Sequence, residues 1–207
     1  MITAYVGGIL NTNQDRGNGK TATMTFSLLF AKYPNACFLY DGEDISIELN
    51  EPVDVSVFTN YKCSFADKVL SPSDIVVLFE SNELKNCLIG IDEMQVLWDS
   101  HFGMSKKGVK NKLQRLVQQS RKRSVSIYYT SQQFGNVHAV LRRHTNKVFE
   151  CIKRHYDGNI CYDDQCYLKH YVDVIDLDFR VPIWNYPMES IFEFYDSDEI
   201  IFQGDDI

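Results

Sequence analysis

No stretch of this 207-residue chain reaches the ~20 consecutive apolar residues that a membrane-spanning helix requires. Repeats, low-complexity tracts and a long linker are also missing. Hydrophobic residues make up 44% and charged residues 24%, which excludes disorder, a collagen-like fibre and a disulfide mini-protein. The first fourteen residues carry no side-chain charge. A secretory signal would begin with basic residues and end at a small-residue cleavage site. Here the apolar residues 2–10 run into Asn11-Thr12-Asn13-Gln14 and then a Gly-rich turn, the pattern of a buried strand. The expectation is a soluble intracellular protein, about one to one and a half ordinary domains long.

A third absence concerns charge. Residues 101–149 hold eleven Lys or Arg and no Asp or Glu. The rest of the chain then holds ten basic against 28 acidic residues, a balance of −18. A one-signed basic segment in an acidic protein suits a surface facing phosphates, of nucleotide or nucleic acid, although most charge runs are solvated faces. Cysteine is present six times. Cys37 and Cys87 lie in apolar, strand-like runs and read as small core residues. Cys161 and Cys166 fall in a Tyr/Asp-rich hairpin, where no second pair and no nearby His-x-x-His complete a zinc spacing. No metal is expected there, and a Cys161–Cys166 disulfide is the alternative in a hyperthermophilic host.

What is present alternates between strand and helix patterns. Strands are expected over 3–10, 36–40, 53–59, 87–91, 125–130 and 147–153, and helices over 21–32, 71–79, 109–122 and 136–143. This alternation predicts a three-layer α/β fold with a mainly parallel sheet. After Asp157 the pattern changes to short Tyr-rich strands, 159–162 and 167–175, and the last thirty residues are acidic and aromatic. The expected division is a core over 1–156, with 157–207 a β-rich extension of the same domain.

Three motifs carry chemistry. Gln14-Asp15-Arg16-Gly17-Asn18-Gly19-Lys20-Thr21 matches the phosphate-binding G-x-x-x-x-G-K-[ST] pattern except at its first Gly, here Gln14. A Gly-rich turn lets several N–H groups point inward, and the helix that follows turns its positive dipole end to the anion. Gly17, Asn18, Gly19, Lys20, Thr21 and Ala22 are the candidate phosphate cradle. Lys20 would neutralise phosphate, and the Thr21 hydroxyl would bind Mg²⁺. Cys87-Leu88-Ile89-Gly90-Ile91-Asp92-Glu93 is an apolar strand ending in two carboxylates. Asp92 suits a metal-holding anion and Glu93 the base that polarises water. The third, Val125-Ser126-Ile127-Tyr128-Tyr129-Thr130-Ser131-Gln132, is an apolar strand ending in polar groups. In such folds a strand of this kind can lie between the other two, its terminal Thr, Ser or Gln reaching the γ-phosphate or the water.

The run Ile91-Asp92-Glu93-Met94-Gln95, with Asp99-Ser100-His101, Lys110-Asn111, Gln119-Ser120-Arg121-Lys122-Arg123, Tyr129-Thr130-Ser131-Gln132 and Leu141-Arg142-Arg143, resembles the HerA/FtsK superfamily of P-loop ATPases. Within it the chain is most similar to genome-packaging ATPases of tailless icosahedral archaeal viruses, and also to Zot-like ATPase domains. Thr59-Asn60 after a strand and the late Tyr195-Asp196 are similar to that group as well. The likeness is strongest over 88–143. Gln14 and His101 depart from the family pattern.

The resemblance implies an additional-strand, RecA-like P-loop NTPase that uses ATP and Mg²⁺. It implies Gln132 as a polar sensor and Arg121 as a finger reaching a neighbouring subunit's nucleotide, with Arg123, Arg142 and Arg143 as competitors. It implies a ring oligomer, usually a hexamer, that pulls double-stranded DNA through a pore. Lys106, Lys107, Lys110 and Lys112 would grip phosphates there without reading bases. A packaging motor would reside in host cytoplasm or on the virion, with a capsid or inner-membrane virion protein as a further partner. The alternatives are a Zot-like or conjugation-type export ATPase, a regulatory P-loop NTPase that moves nothing, and a non-hydrolysing binding module.

Overall fold

The computed structural model describes residues 1–7, 18–42, 44–71, 74, 77–78, 84–95, 117–118, 120–163 and 166–196. Ten strands are assigned among them: β1 (Ile2–Val6), β2 (Cys37–Asp41), β3 (Asp44–Glu48), β4 (Ser56–Thr59), β5 (Lys68–Val69), β6 (Cys87–Ile91), β7 (Val125–Ser131), β8 (Lys147–His155), β9 (His170–Asp176) and β10 (Val181–Pro187). Two α-helices, α1 (Lys20–Lys32) and α2 (Ala139–His144), have described bounds.

Eight strands form one sheet in the order β10-β9-β8-β1-β7-β6-β4-β5. From β8 to β5 every neighbouring pair is parallel, whereas β9 adds antiparallel to β8 and β10 antiparallel to β9. The third apolar strand, β7, does lie between β1 and β6. The central strands are buried on both faces, which is why they read as unbroken apolar runs. Alternate side chains feed two cores. Ile2, Ala4, Ile89, Ile91, Ile127 and Tyr129 face one, with Leu141 of α2. Tyr5, Leu88 and Tyr128 face the other, with Ala22, Met24, Leu28 and Leu29 of α1. A sheet covered on both faces is the three-layer α/β architecture.

Helix α1 is unusual in carrying Thr21, Thr23, Thr25 and Ser27, which are poor helix formers. The hydroxyls of Thr23, Thr25 and Ser27 donate back to the carbonyls of Gly19, Thr21 and Thr23 at 2.8, 2.8 and 3.0 Å. The same three hydroxyls meet the buried phenols of Tyr186, Tyr61 and Tyr5 at 3.0, 2.9 and 2.7 Å. Each phenol belongs to a different part of the chain, so the helix is bonded to β1, β10 and the loop after β4 at once. Its Phe26 stacks with Phe30, Phe38, Trp184 and Tyr186.

The chain after β10 forms a 3-10 segment, Met188–Phe194, that buries Ile191 and Phe194 in the α1-side core. Tyr195 then bridges to Cys63. The edge strand β10 contains Pro182 and Pro187, with a register shift between Pro182 and Trp184, features that discourage a further strand from adding.

Three expectations need correction. The strand at 36–40 does not enter the main sheet. It pairs antiparallel with β3, which the pattern did not predict, in a separate two-stranded sheet. The Asp41-Gly42 turn, with Gly42 at φ 64°, reverses the chain before a crossover can begin. Cys37 therefore lies exposed on that hairpin rather than in the core, whereas Cys87 is buried. Finally, Tyr-rich residues 159–162 make an isolated bridge, Arg154 to Ile160, rather than a strand. Most of the helices expected over 71–79 and 109–122 lies outside the described residues; Arg121–Arg123 forms a 3-10 turn.

Candidate nucleotide site

Parallel register brings the ends of β1, β4, β6 and β7 to one edge of the sheet. Val6 is level with Ser131, Ile91 with Tyr129, and Thr59 with Gly90. The residues just beyond those strand ends, Gly7, Asn60, Asp92 and Glu93, therefore gather where α1 begins.

Asn18 and Lys20 are buried, at 1% and 6% exposure. Gly19 caps the helix in the left-handed region, φ 83° and ψ 17°. A Cβ there would also come within 2.6 Å of Val172 Cγ2 on β9, so glycine is required twice over. Gly7 is needed for a different reason: a Cβ would lie 1.6 Å from the Asn18 amide nitrogen. The first turn of α1 has no side-chain cap hydrogen bond and no acidic residue, which leaves its leading N–H groups and dipole suited to an anion. Lys20 Nζ donates to Asn18 Oδ1 at 3.1 Å.

The second half of the site is a carboxylate held by hydroxyls. Asp92 Oδ1 accepts from Thr21 Oγ1 at 2.8 Å and also from Thr130 Oγ1. Asn60 holds the Asp92 backbone in both directions: its Oδ1 accepts from the Asp92 N–H at 2.7 Å, and its Nδ2 donates to the Asp92 carbonyl at 3.0 Å. Burial pushes the Asp92 carboxyl above the usual carboxylate range, against the two hydroxyls and Lys20. Thr21 and Asp92 thus present a hydroxyl and a buried carboxylate oxygen to one point. Oxygen donors of this kind fit Mg²⁺, and a divalent cation would relieve the buried charge.

Glu93 turns out of the strand at φ 51°, a conformation that costs a non-glycine residue about 1–2 kcal/mol. Its N–H donates to Thr130 Oγ1 at 2.9 Å, and its carboxylate accepts from Gln95 Nε2 and from the Gln132 side chain. Burial, then the neighbouring Asp92 charge, raise the Glu93 carboxyl; Lys20 and the two glutamines oppose this.

Of the residues singled out by sequence, Asn18, Gly19, Lys20, Thr21, Ala22, Asp92, Glu93 and Gln132 lie around this edge. Arg121 does not: it is exposed in the turn before β7, at the opposite edge of the sheet. Gly17, Lys106, Lys107, Lys110 and Lys112 lie outside the described residues. Sequence reasoning gave Asn60 no role and Thr130 only a share in a strand end. The signal for both was the same: a polar residue at the C-terminal end of an apolar strand.

Comparison with protein-family models finds none that matches, and no curated protein matches the chain. Solved structures do. The N-terminal domain of zonular occludens toxin from Neisseria meningitidis is 15% identical with a TM-score of 0.53, over 94% of this chain and 98% of that one. The DNA-packaging ATPase B204 from Sulfolobus turreted icosahedral virus is 12% identical with a TM-score of 0.47, over 90% and 97%. The genome packaging NTPase B204 from Sulfolobus turreted icosahedral virus 2, in complex with ATP-gammaS, is 10% identical with a TM-score of 0.46, over the same shares. Among the described residues no helix is long and apolar enough to cross a membrane. The likeness to the toxin domain, together with the strand order, shows that this chain has the α/β fold of the P-loop NTPases.

Proposed function

We propose that this protein is an ATP-hydrolysing motor that moves double-stranded DNA, with packaging of a viral genome into a capsid as its task. The observation that carries the reading is the convergence of Lys20, Thr21, Asp92 and Glu93 at the start of α1, with Thr21 and Asp92 bonded at 2.8 Å. Gly19, Lys20, Thr21 and Ala22 would hold the phosphates of ATP, and Thr21 and Asp92 would hold Mg²⁺. The bound metal supplies charge neutralisation on the transferred phosphoryl group.

Glu93 acts as the base that orients and deprotonates the attacking water. Its carboxylate is aimed by Gln95 and Gln132, and its backbone by Thr130. Lys20 stabilises charge on the β- and γ-phosphates. Arg121, on the far edge of its own sheet, acts on the nucleotide of a neighbouring subunit in a ring. Lys106, Lys107, Lys110 and Lys112 contact DNA phosphates in the pore. Residues 157–207 serve as an extension of the 1–156 core rather than as a separate domain.

The test is Mg²⁺-dependent ATP hydrolysis with and without double-stranded DNA, wild type beside Glu93→Gln. Removal of a general base costs about 10²–10⁴-fold, so Glu93→Gln should lose turnover by that factor and keep nucleotide binding. DNA should raise the wild-type rate, and less so at high salt. Turnover indifferent to DNA at every protein concentration would overturn translocation. No turnover under any condition would overturn the enzyme.

A further inference from the structure

Beyond the nucleotide site, four metal-ligating side chains meet at the end of the β8–β9 pair. His155 and His170 are direct partners across the two strands, with ring centroids 4.8 Å apart. The chain between them turns back on β8. The Cys161 N–H donates to the Lys153 carbonyl at 2.9 Å, and Ile160 bridges Arg154. That return sets Cys161 and then Cys166 against the histidine pair. One ligand atom from each of His155, Cys161, Cys166 and His170 lies within 4.8 Å of all the others.

Tetrahedral zinc with bonds of about 2.0–2.3 Å holds its donor atoms about 3.3–3.8 Å apart. Shifts of about 1 Å or less would therefore close the four donors on one ion. Two nitrogens, His155 Nδ1 and His170 Nε2, are buried with no hydrogen-bond partner. A metal would satisfy both. The other nitrogen of His170 faces Glu189 Oε1 at 3.9 Å, and the same oxygen accepts the His170 backbone N–H. A carboxylate behind a ligating imidazole is the usual arrangement that orients it. The loop is tied as well: the Asp163 carbonyl accepts from Lys153 Nζ at 2.7 Å.

We propose that His155, Cys161, Cys166 and His170 form a structural zinc site that clamps β8, β9 and the loop between them. Two sulfurs and two imidazoles in tetrahedral reach select zinc among common ions. Four protein ligands leave no open position, which is the mark of a structural rather than catalytic centre. Two thiolates and two neutral imidazoles also leave a Zn²⁺ site without net charge. Sequence spacing alone does not reveal this cluster, because the usual rule looks for a second close-spaced pair. The spacing His-x₅-Cys-x₄-Cys-x₃-His acquires meaning only when strand pairing brings His155 beside His170. The clamp has a clear mechanical consequence. Val172, two residues beyond His170, is the residue packed against Gly19, so the zinc site fixes the strand that walls the turn before α1.

The test uses the full chain, untagged and purified under reducing conditions. Elemental analysis should find zinc equimolar with protein, and the double variant Cys161→Ser/Cys166→Ser should lose it. Because that variant can misfold, the wild type is tested directly. Replacement by Co²⁺ should give thiolate-to-cobalt charge transfer and the visible bands of a tetrahedral centre. Chelation should lower Tm, and added zinc should restore it. A reduced wild type that holds no zinc and gives no tetrahedral cobalt spectrum would overturn the proposal. So would a Cys161–Cys166 disulfide in freshly isolated protein, or a Tm that chelation leaves unchanged.

Discussion

Asn60→Ala removes no group proposed to touch nucleotide, yet it should damage the site severely. Asn60 is 6% exposed and makes both hydrogen bonds to the Asp92 backbone. Alanine leaves a buried N–H and a buried C=O without those partners. Each such loss costs about 1–3 kcal/mol. A water entering the vacated space would recover part of this, so a net loss of about 2–4 kcal/mol is expected. The second consequence concerns Glu93. Its φ of 51° is strained and persists only because its neighbours are held. With the Asp92 backbone released, Glu93 should relax toward ordinary angles and its carboxylate should move off the water. The assays are urea unfolding of the nucleotide-free protein and steady-state ATPase kinetics. Stability should fall with the m-value unchanged, and kcat should fall by more than KM rises. A stability change below about 0.5 kcal/mol, the ordinary range for a surface substitution, would refute the clamp. An unchanged kcat would refute the link to Glu93.

Four further outcomes follow from the site and its proposed role. The raised Glu93 carboxyl must lose its proton to act as base, so turnover should fall as pH drops through a value above the ordinary glutamate range; Glu93→Gln should abolish this limb of the pH–rate profile. Raised native pKa values also mean that the metal-free fold binds more protons than the unfolded chain, so its stability should decline as pH rises from about 4 through the shifted Asp92 and Glu93 values; Asp92→Asn should flatten that decline in thermal melts. Arg121→Ala should keep nucleotide affinity and lose turnover, and mixing it with Glu93→Gln should restore activity in mixed rings; no restoration would place Arg121 outside the proposed trans role. Gly19→Ala should destabilise by at least about 1 kcal/mol from the positive φ alone, and Val172→Ala should recover only the part due to the 2.6 Å approach, measured as a double-mutant cycle in urea.

Much of this protein is written locally. Residues 18–32 form a turn and a helix because Gly19 reaches φ 83° and a run free of Gly and Pro follows as far as Pro34, and both properties belong to neighbouring residues. The strand ending at Asp92 and the strand ending at Thr130 and Gln132 are legible for the same reason: strands buried on both faces must be apolar throughout, and polar residues must mark their ends. Only the first strand of the hairpin β2–β3 is legible in the sequence, because its exposed, acid-rich second strand carries little apolar signal. Sequence spacing also suggested the lysine, hydroxyl and paired carboxylates.

What the tertiary structure alone decided is the set of partners. Asn60 and Thr130 stand 32 and 38 positions from Asp92, and nothing in either neighbourhood names the carboxylate they serve. The phenols of Tyr5, Tyr61 and Tyr186 find their three hydroxyls on α1 only when the sheet is assembled. His155 and His170 meet only through strand register. Hydrogen bonds and metal ligation act over about 2–3 Å. Local propensity sets the element, but only the packing of elements brings distant residues within that reach.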